Sequence, residues 1–113
     1  MGAYETMLTL TIKKKWFDMI TAGEKKEEYR ETNPYYYQRF KHFLGWVVVN
    51  GESIRIRFLV RFRNGYDARS PSVVARCTVR TGKGKPEWGA EAGKDYYILD
   101  ILELYPEGSY GSI

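Results

Sequence analysis

Gly23-Glu24-Lys25-Lys26-Glu27-Glu28-Tyr29-Arg30 is the stretch of sequence around which the fold can be worked out. After the glycine come three glutamates, two lysines, a tyrosine and an arginine. If residues 25–31 form a strand, successive side chains point to opposite faces. One face then carries Lys26, Glu28 and Arg30, and the other carries Lys25, Glu27, Tyr29 and Glu31. A carboxylate between two cations stays charged and can bind a polar ligand or orient a water. The alternative is a solvated sheet edge, where such charges block pairing with another strand.

The residues before this stretch predict a strand and then a helix. Residues 8–12 alternate apolar side chains with threonine, which is typical of a half-buried strand. Residues 13–22 predict a short helix, on which we assign Trp16 to the core rather than to a ligand platform. Gly23 suits the left-handed position that follows a helix. Because so short a helix is unstable alone in water, we expect it to pack on the end of a barrel.

Gly23, Lys25, Glu28 and Arg30 form the pattern G-x-K-x-x-E-x-R directly after this strand and helix. The combination resembles the ASCH domain family, a branch of the PUA-like superfamily, most closely from residue 8 to about residue 31. The resemblance implies an α+β fold, a small PUA-like β-barrel of about five to six strands with two short helices. It also implies that RNA or a modified base binds in a cleft beside the first helix and the following strand, where the motif lies.

The residue types of the motif suit such a ligand. Arg30 offers a planar fork for a phosphate or carboxylate, and Lys25 offers a point charge. Glu28 can accept hydrogen bonds from the amino groups of a base, or act as a general base if its pKa is raised. We therefore expect an RNA or nucleotide-like ligand to contact all three side chains.

The resemblance also raises the alternative of a small hydrolase, with Lys25 and Glu28 as its catalytic residues. Some ASCH relatives are amidohydrolases that deacetylate acetylated cytidine with a Lys, a Thr and a Glu. Lys25 matches the family's lysine, but Glu28 stands where the family has its threonine nucleophile. Glu87 or Glu91 falls in the region of the family's glutamate.

Other relatives are ribonucleases, for which His42 is the only histidine available here. Whether the chain is an enzyme stays open.

The sequence after the motif predicts a second helix and a hairpin turn. Asn33 can cap a helix that has Pro34 in its first turn. We expect this helix to place a tyrosine or Arg39 beside the site. Residues 46–49 form either a short strand or a buried connector, and Asn50-Gly51 is a strong turn signal.

Residues 53–63 predict one long strand with an apolar face and an arginine face. The arginine face is a candidate RNA-binding surface of four residues, Arg55, Arg57, Arg61 and Arg63. Like charges along a strand repel unless something neutralises them. Two alternatives remain open, namely acids on neighbouring strands, with the acidic C-terminal part as their source, and a bound anion.

The last third of the sequence predicts two strands joined by a loop. Residues 73–81 place Cys77 on an apolar face, as a small buried hydrophobe, with Arg76 and Arg80 opposite. Residues 82–89 predict a long glycine-rich loop, in which Trp88 either stacks on a base or folds back onto the barrel. Residues 96–104 predict a central apolar strand.

Composition limits the remaining possibilities. A chain of 113 residues suits one domain, residues 1–113, and we expect residues 1–6 and 106–113 to be loose. One cysteine and one histidine exclude an internal disulfide and make a metal site untenable, so we expect no metal and no cofactor. The absence of a signal pattern and of a long apolar run predicts a cytoplasmic protein without membrane contact. A weaker hypothesis is a module that self-associates through its basic middle and acidic end.

Overall fold

The computed structural model describes residues 7–105, which form seven strands and two helices. The strands are β1 (Met7–Thr11), β2 (Glu27–Glu31), β3 (Trp46–Val49), β4 (Glu52–Arg55), β5 (Phe58–Arg63), β6 (Ser72–Lys83) and β7 (Asp95–Tyr105). The helices are α1 (Lys14–Thr21) and α2 (Pro34–Phe40), and single 3-10 turns span Lys41–Phe43 and Pro86–Trp88. The terminal segments predicted to be loose lie outside the described residues. Among the described helices, none has the length and apolar character needed to cross a membrane.

Five of the strands form one sheet that curls into a half-barrel, in the order β1-β5-β6-β7-β2. β1 runs parallel to β5, and the other neighbours in this sheet are antiparallel. β3 and β4 form a separate hairpin. The expected α+β class, the barrel-like sheet and the two short helices are therefore confirmed, whereas the finer PUA-like assignment stays a prediction.

The single strand predicted over residues 53–63 is wrong, because the chain breaks into β4 and β5 at Ile56 and Arg57. β4 pairs with β3 across the predicted turn, in which Asn50 and Gly51 both adopt positive φ angles of 52° and 84°. β5 lies between β1 and β6 in the main sheet. The strand pattern continues through residues 53–63, but its two halves have partners in different sheets. The break also explains why seven strands form where five to six were predicted.

The hairpin settles the alternative left open for residues 46–49. They form a strand, and all four side chains are exposed rather than buried, Val48 most of all at 73%. The short-strand alternative is therefore confirmed and the buried connector is wrong.

The core lies between the concave face of the sheet and the two helices. Ile20 from α1 and Phe40 from α2 are fully buried against it. The inward faces predicted for β5 and β6 are confirmed by the burial of Phe58, Val60, Phe62, Val73, Ala75, Cys77 and Val79. Burial raises the pKa of the Cys77 thiol, which supports its predicted role as a small apolar residue.

The ends of the helices follow the sequence signals. Gly23 has a φ angle of 79° just after α1, as predicted. The Asn33 side chain accepts a hydrogen bond of 2.9 Å from the backbone N–H of Tyr36, as expected of a capping residue. The loop predicted over residues 82–89 is shorter than expected, because Gly82 and Lys83 still pair with β7. What remains is a tight turn around Pro86–Trp88.

Candidate functional site

The motif joins the end of α1 to β2, at the edge of the main sheet. The backbone N–H groups of Glu24 and Lys25 both donate to the carbonyl of Met19, at 2.9 and 3.1 Å. The chain therefore wraps around the helix end before β2 begins at Glu27. Because Lys25 precedes the strand, the alternation predicted for residues 25–31 does not govern its side chain.

The alternation does hold within β2. The Tyr29 hydroxyl donates to Glu27 Oε1 at 2.7 Å on one face, and Arg30 Nη2 donates to Glu28 Oε2 at 2.8 Å on the other. Lys26 was predicted to be the second cation beside Glu28, but Lys25 takes that place: its Nζ lies 3.1 Å from Glu28 Oε1. The predicted carboxylate between two cations is thus present, with a different lysine.

Lys25 is buried, with 1% of its surface exposed. Besides Glu28, its ammonium donates to the carbonyl of Trp88 at 2.9 Å and to the carbonyl of Glu27. An ammonium has three N–H donors, so all of them are used. Burial lowers the pKa of Lys25, and the charge of Glu28 opposes that shift.

The Arg30 guanidinium connects β2 to β1 and α2. Nη2 donates to the carbonyl of Thr11 at 3.1 Å in addition to Glu28, and Nη1 donates to the Tyr36 hydroxyl at 3.1 Å. Its Nε is buried and has no hydrogen-bond partner among the described residues. Three of the five N–H donors of Arg30 are therefore used, and those of Nε and the second of Nη1 have no acceptor among the described residues.

A cleft of about 270 Å³ lies beside α1 and β2, where the family resemblance places a ligand. Its polar walls include Glu28 and Arg30, with Lys13 from the start of the α1 segment. Its aromatic walls are supplied by Trp16, Tyr29, Tyr36 and Tyr96.

Two aromatic residues of the cleft illustrate what the sequence did and did not reveal. Tyr36 is the tyrosine of α2 that was expected beside the site. Trp16 was assigned to the core, but it is only half-buried and lines the cleft. Its ring packs closely on Gly89, where an added Cβ would lie 3.0 Å from the indole. The sequence did hold one signal that could have identified Trp16 as a cleft residue, namely its position in the helix that directly precedes the motif.

Lys13 and Tyr96 were missed as cleft residues. Lys13 lies just before α1, and Tyr96 belongs to β7, far from the motif in the sequence. Only the pairing of β2 with β7 brings Tyr96 to Tyr29, at a ring-centroid distance of 5.6 Å. The sequence around Tyr96 carried no sign of this contact.

Two of the predicted ligand residues are placed elsewhere. The Arg39 guanidinium donates to the carbonyl of Thr9 at 3.0 Å and to the Tyr35 hydroxyl at 2.8 Å, and it is not among the residues that line the cleft. Trp88 meets the site through its backbone carbonyl, which Lys25 binds, while its side chain lines a different groove.

The candidates of the hydrolase alternative outside the motif also lie apart from the cleft. Glu87, Glu91 and His42 are exposed and do not line it. The structure therefore brings together Lys25, Glu28 and Arg30. Glu87, Glu91 and His42 stay on the surface, apart from them.

The four arginines of the predicted RNA-binding surface do not form one ladder. Arg55 ends β4 and Arg57 lies in the break, whereas Arg61 and Arg63 belong to β5. In residues 7–105 none of the four forms an ion pair with a carboxylate. The C-terminal acids were the proposed source of neutralisation, but those of β7 pair with β6 instead, as in the contact of 2.7 Å between Arg80 and Asp100.

Comparison of the chain with protein-family models, with curated proteins and with solved structures returned no match. The likeness to ASCH domains therefore rests on the sequence motif and its context.

Proposed function

We propose that this chain is an ASCH-type domain that binds RNA or a nucleotide-like ligand in the cleft beside α1 and β2, through Glu28 and Arg30, with Lys25 holding Glu28 in position. One observation carries the proposal: a cleft lined by four aromatic rings also has in its walls the Glu28 carboxylate and the Arg30 guanidinium, which its terminal nitrogens hold in place. The Nε of this guanidinium is buried and unpaired, which is costly in free energy, so a ligand that moves close enough to accept its hydrogen bond would be stabilised there.

The size and walls of the cleft favour a planar group. Its volume of about 270 Å³ lies just below the range of about 300–1,000 Å³ that is typical of sites for drug-sized ligands. A single base fits that size better than a long ligand. Stacking of a base on an aromatic side chain contributes about 1–3 kcal/mol, and four aromatic residues line the cleft.

The charged residues supply hydrogen bonds of both kinds. Each oxygen of the Glu28 carboxylate already accepts one bond, from Lys25 or Arg30, and each retains a further lone pair for a base amino group. The Arg30 guanidinium can donate its unused N–H groups to a base carbonyl or a phosphate oxygen. Lys25 is buried and does not line the cleft, so its role is to hold Glu28 in position and to keep its carboxylate charged.

The test is binding of a short single-stranded RNA at two salt concentrations, for wild type and two variants. Arg30→Lys keeps the charge but removes Nε and the planar fork. Arg69→Lys is the matched control, because the Arg69 side chain is 92% exposed in a loop away from the cleft. We expect binding that weakens with salt, and a loss of about tenfold in affinity, or about 1.4 kcal/mol, for Arg30→Lys only.

Circular dichroism of each variant shows whether the fold is retained. Absence of RNA binding by wild type at low salt would reject the proposal, as would equal affinities of the two variants.

A second candidate is hydrolysis in the same cleft, and the observation that favours it is the lowered pKa of Lys25 beside a carboxylate. A lysine with a lowered pKa gives up its proton more readily than a free one, as a general acid or base must. We expect turnover of acetylated cytidine or RNA to be lost in Lys25→Met while the near-UV circular dichroism is retained. Wild-type protein without activity on either substrate would exclude this candidate.

A further inference from the structure

A second groove, of about 590 Å³, lies between the β3–β4 hairpin and the main sheet. It shares no lining residue with the cleft. The break at Ile56 and Arg57 produces it, because the hairpin there leaves the direction of β5. Its walls carry four cationic side chains and one indole, from Lys26, Arg55, Arg57, Lys85 and Trp88.

The acids in the groove do not neutralise these cations. Glu27 and Asp100 also line it, but both are bound by Arg80, at 3.2 and 2.7 Å. The four cations of the groove form no ion pair within residues 7–105. The groove therefore presents an excess of positive charge toward solvent.

Two of the cations rest on aromatic rings instead of pairing with acids. The guanidinium of Arg55 lies 4.7 Å from the ring centroid of Trp46 and donates one hydrogen bond, of 3.0 Å, to the carbonyl of Val79. The ammonium of Lys85 lies 4.5 Å from the ring centroid of Trp88. These contacts hold the cations in position and leave most of their N–H donors available, since a guanidinium has five.

We propose that this groove binds the phosphodiester backbone of single-stranded nucleic acid, with the indole of Trp88 as a stacking surface for a base. A basic groove with an aromatic ring is the combination by which single strands are bound without sequence preference. An acidic peptide would use the cations but would gain nothing comparable from the indole. The proposal adds a second contact surface to the RNA binding proposed for the cleft, and it can be tested separately.

The groove and the cleft are connected by one structural element. The turn at Pro86–Trp88 carries Trp88 into the groove, and the next residue, Gly89, packs on Trp16 in the cleft wall. The Lys25 ammonium donates a hydrogen bond to the carbonyl of Trp88, the last residue of this turn. The same turn thus contacts a wall of each site, so we expect one bound strand to reach both.

The test compares two double variants that each remove two positive charges. Arg57→Ala with Lys85→Ala alters the groove, and Arg69→Ala with Lys41→Ala is the matched control, since both of these residues are exposed and line neither the groove nor the cleft. The probe is a labelled ten-nucleotide oligouridylate, titrated over a series of potassium chloride concentrations. For single strands, each phosphate contact makes the slope of log affinity against log salt more negative by about 0.7. We therefore expect the slope of the groove variant to be about 1.4 less negative than that of wild type, and the control to keep the wild-type slope.

A third variant tests the stacking surface. We expect Trp88→Ala to bind the probe about tenfold more weakly at every salt concentration with an unchanged slope, because it removes a ring and no charge. Circular dichroism confirms that each variant is folded.

Four results would overturn the proposal or separate it from the cleft. Equal slopes for the groove variant and its control would overturn it, and so would competition by a decaglutamate peptide as strong as that by unlabelled oligouridylate. A loss in Arg30→Lys without one in the groove variant would leave only the cleft. A loss in the groove variant without one in Arg30→Lys would support the groove and reject the function proposed for the cleft.

Discussion

At the scale of single residues, the buried ammonium of Lys25 holds three parts of the chain together. It bonds the carboxylate of Glu28, the backbone of β2 at Glu27 and the turn at Trp88. A charge taken out of water is stable only when its hydrogen bonds are satisfied in this way. The clamp thus fixes one wall of the cleft.

We expect Lys25→Met to lower the free energy of unfolding by about 3–5 kcal/mol, because it leaves Glu28 and two backbone carbonyls without their donor. Urea denaturation followed by circular dichroism measures the change. The neighbouring Lys26→Met is the matched control, since Lys26 is exposed and its replacement should cost no more than about 0.5 kcal/mol. Similar losses in both variants would contradict a clamp at Lys25.

The members of this network could be predicted from the sequence, but their arrangement could not. The G-x-K-x-x-E-x-R pattern identified Lys25, Glu28 and Arg30. Strand alternation then placed Lys25 on the wrong side, because the rule applies only from the first residue of the strand and a shift of one residue exchanges the faces. The start of β2 depends on how the chain closes α1 at Met19, which no local pattern reveals.

At the scale of elements, the end of β6 depends on close contact with β2. An added Cβ at Gly84 would lie 2.6 Å from the ring of Tyr29 and 2.7 Å from the Cβ of Ala90. The backbone N–H of Lys85 donates to the Tyr29 hydroxyl at 2.9 Å. The absence of a side chain at residue 84 therefore lets the chain pass directly over Tyr29 into the Pro86–Trp88 turn.

We expect Gly84→Ala to cost about 1–3 kcal/mol of stability, because an aromatic ring and the backbone must shift to admit the methyl group. Gly82→Ala is the control two residues earlier in the same segment. Its Cβ would lie 3.3 Å from Arg80 Nη1 and 3.5 Å from Ile98 Cδ1, both at the ends of flexible side chains. Thermal unfolding compares the two variants, and a larger loss in Gly82→Ala would argue against the close contact at Tyr29.

The sequence predicted elements well and their partners poorly. Local patterns identified α1, α2, the Asn50-Gly51 turn and the strands of the main sheet. They missed the break at Ile56 and Arg57, because alternation continues through it and only the separate partners of β4 and β5 require the chain to turn. The groove was missed for the same reason.

At the scale of the whole molecule, the charge imbalance in the sequence is partly cancelled in the sheet. The basic middle and the acidic end meet as β6 and β7, where Arg80 pairs with Asp100 and Arg76 lies 3.9 Å from Glu103. The cations of the groove take no part in this pairing and keep their charge unneutralised within residues 7–105. Strand order therefore converts a polarised sequence into one local basic surface.

The stability of the molecule at alkaline pH should depend on Tyr29. Burial raises the pKa of Tyr29, and the hydrogen bond that it donates to Glu27 raises it further. An unfolded tyrosine loses its proton near pH 10, whereas the folded one keeps it. Above that pH the folded state holds more protons than the unfolded state, so the free energy of unfolding falls as pH rises.

We expect Tyr29→Phe to show a shallower decrease of stability above pH 10 than wild type, in urea denaturation at a series of pH values. Tyr66→Phe is the control, because Tyr66 is 91% exposed and its replacement should leave the wild-type slope. A Tyr29→Phe slope as steep as that of the control would contradict the assignment.

The strand order also determines when this protein can fold during synthesis. Among the strands of residues 7–105, β1 pairs only with β5, with Met7 opposite Leu59, and β2 pairs only with β7, with Glu31 opposite Tyr96. Neither early strand pairs with the other, so a nascent chain cannot complete the sheet until β7 has left the ribosome. Such non-local pairing slows folding and leaves strand edges open in the meantime. Any product that ends before β7 would therefore expose β2, with the charged motif it carries, as an unpaired segment.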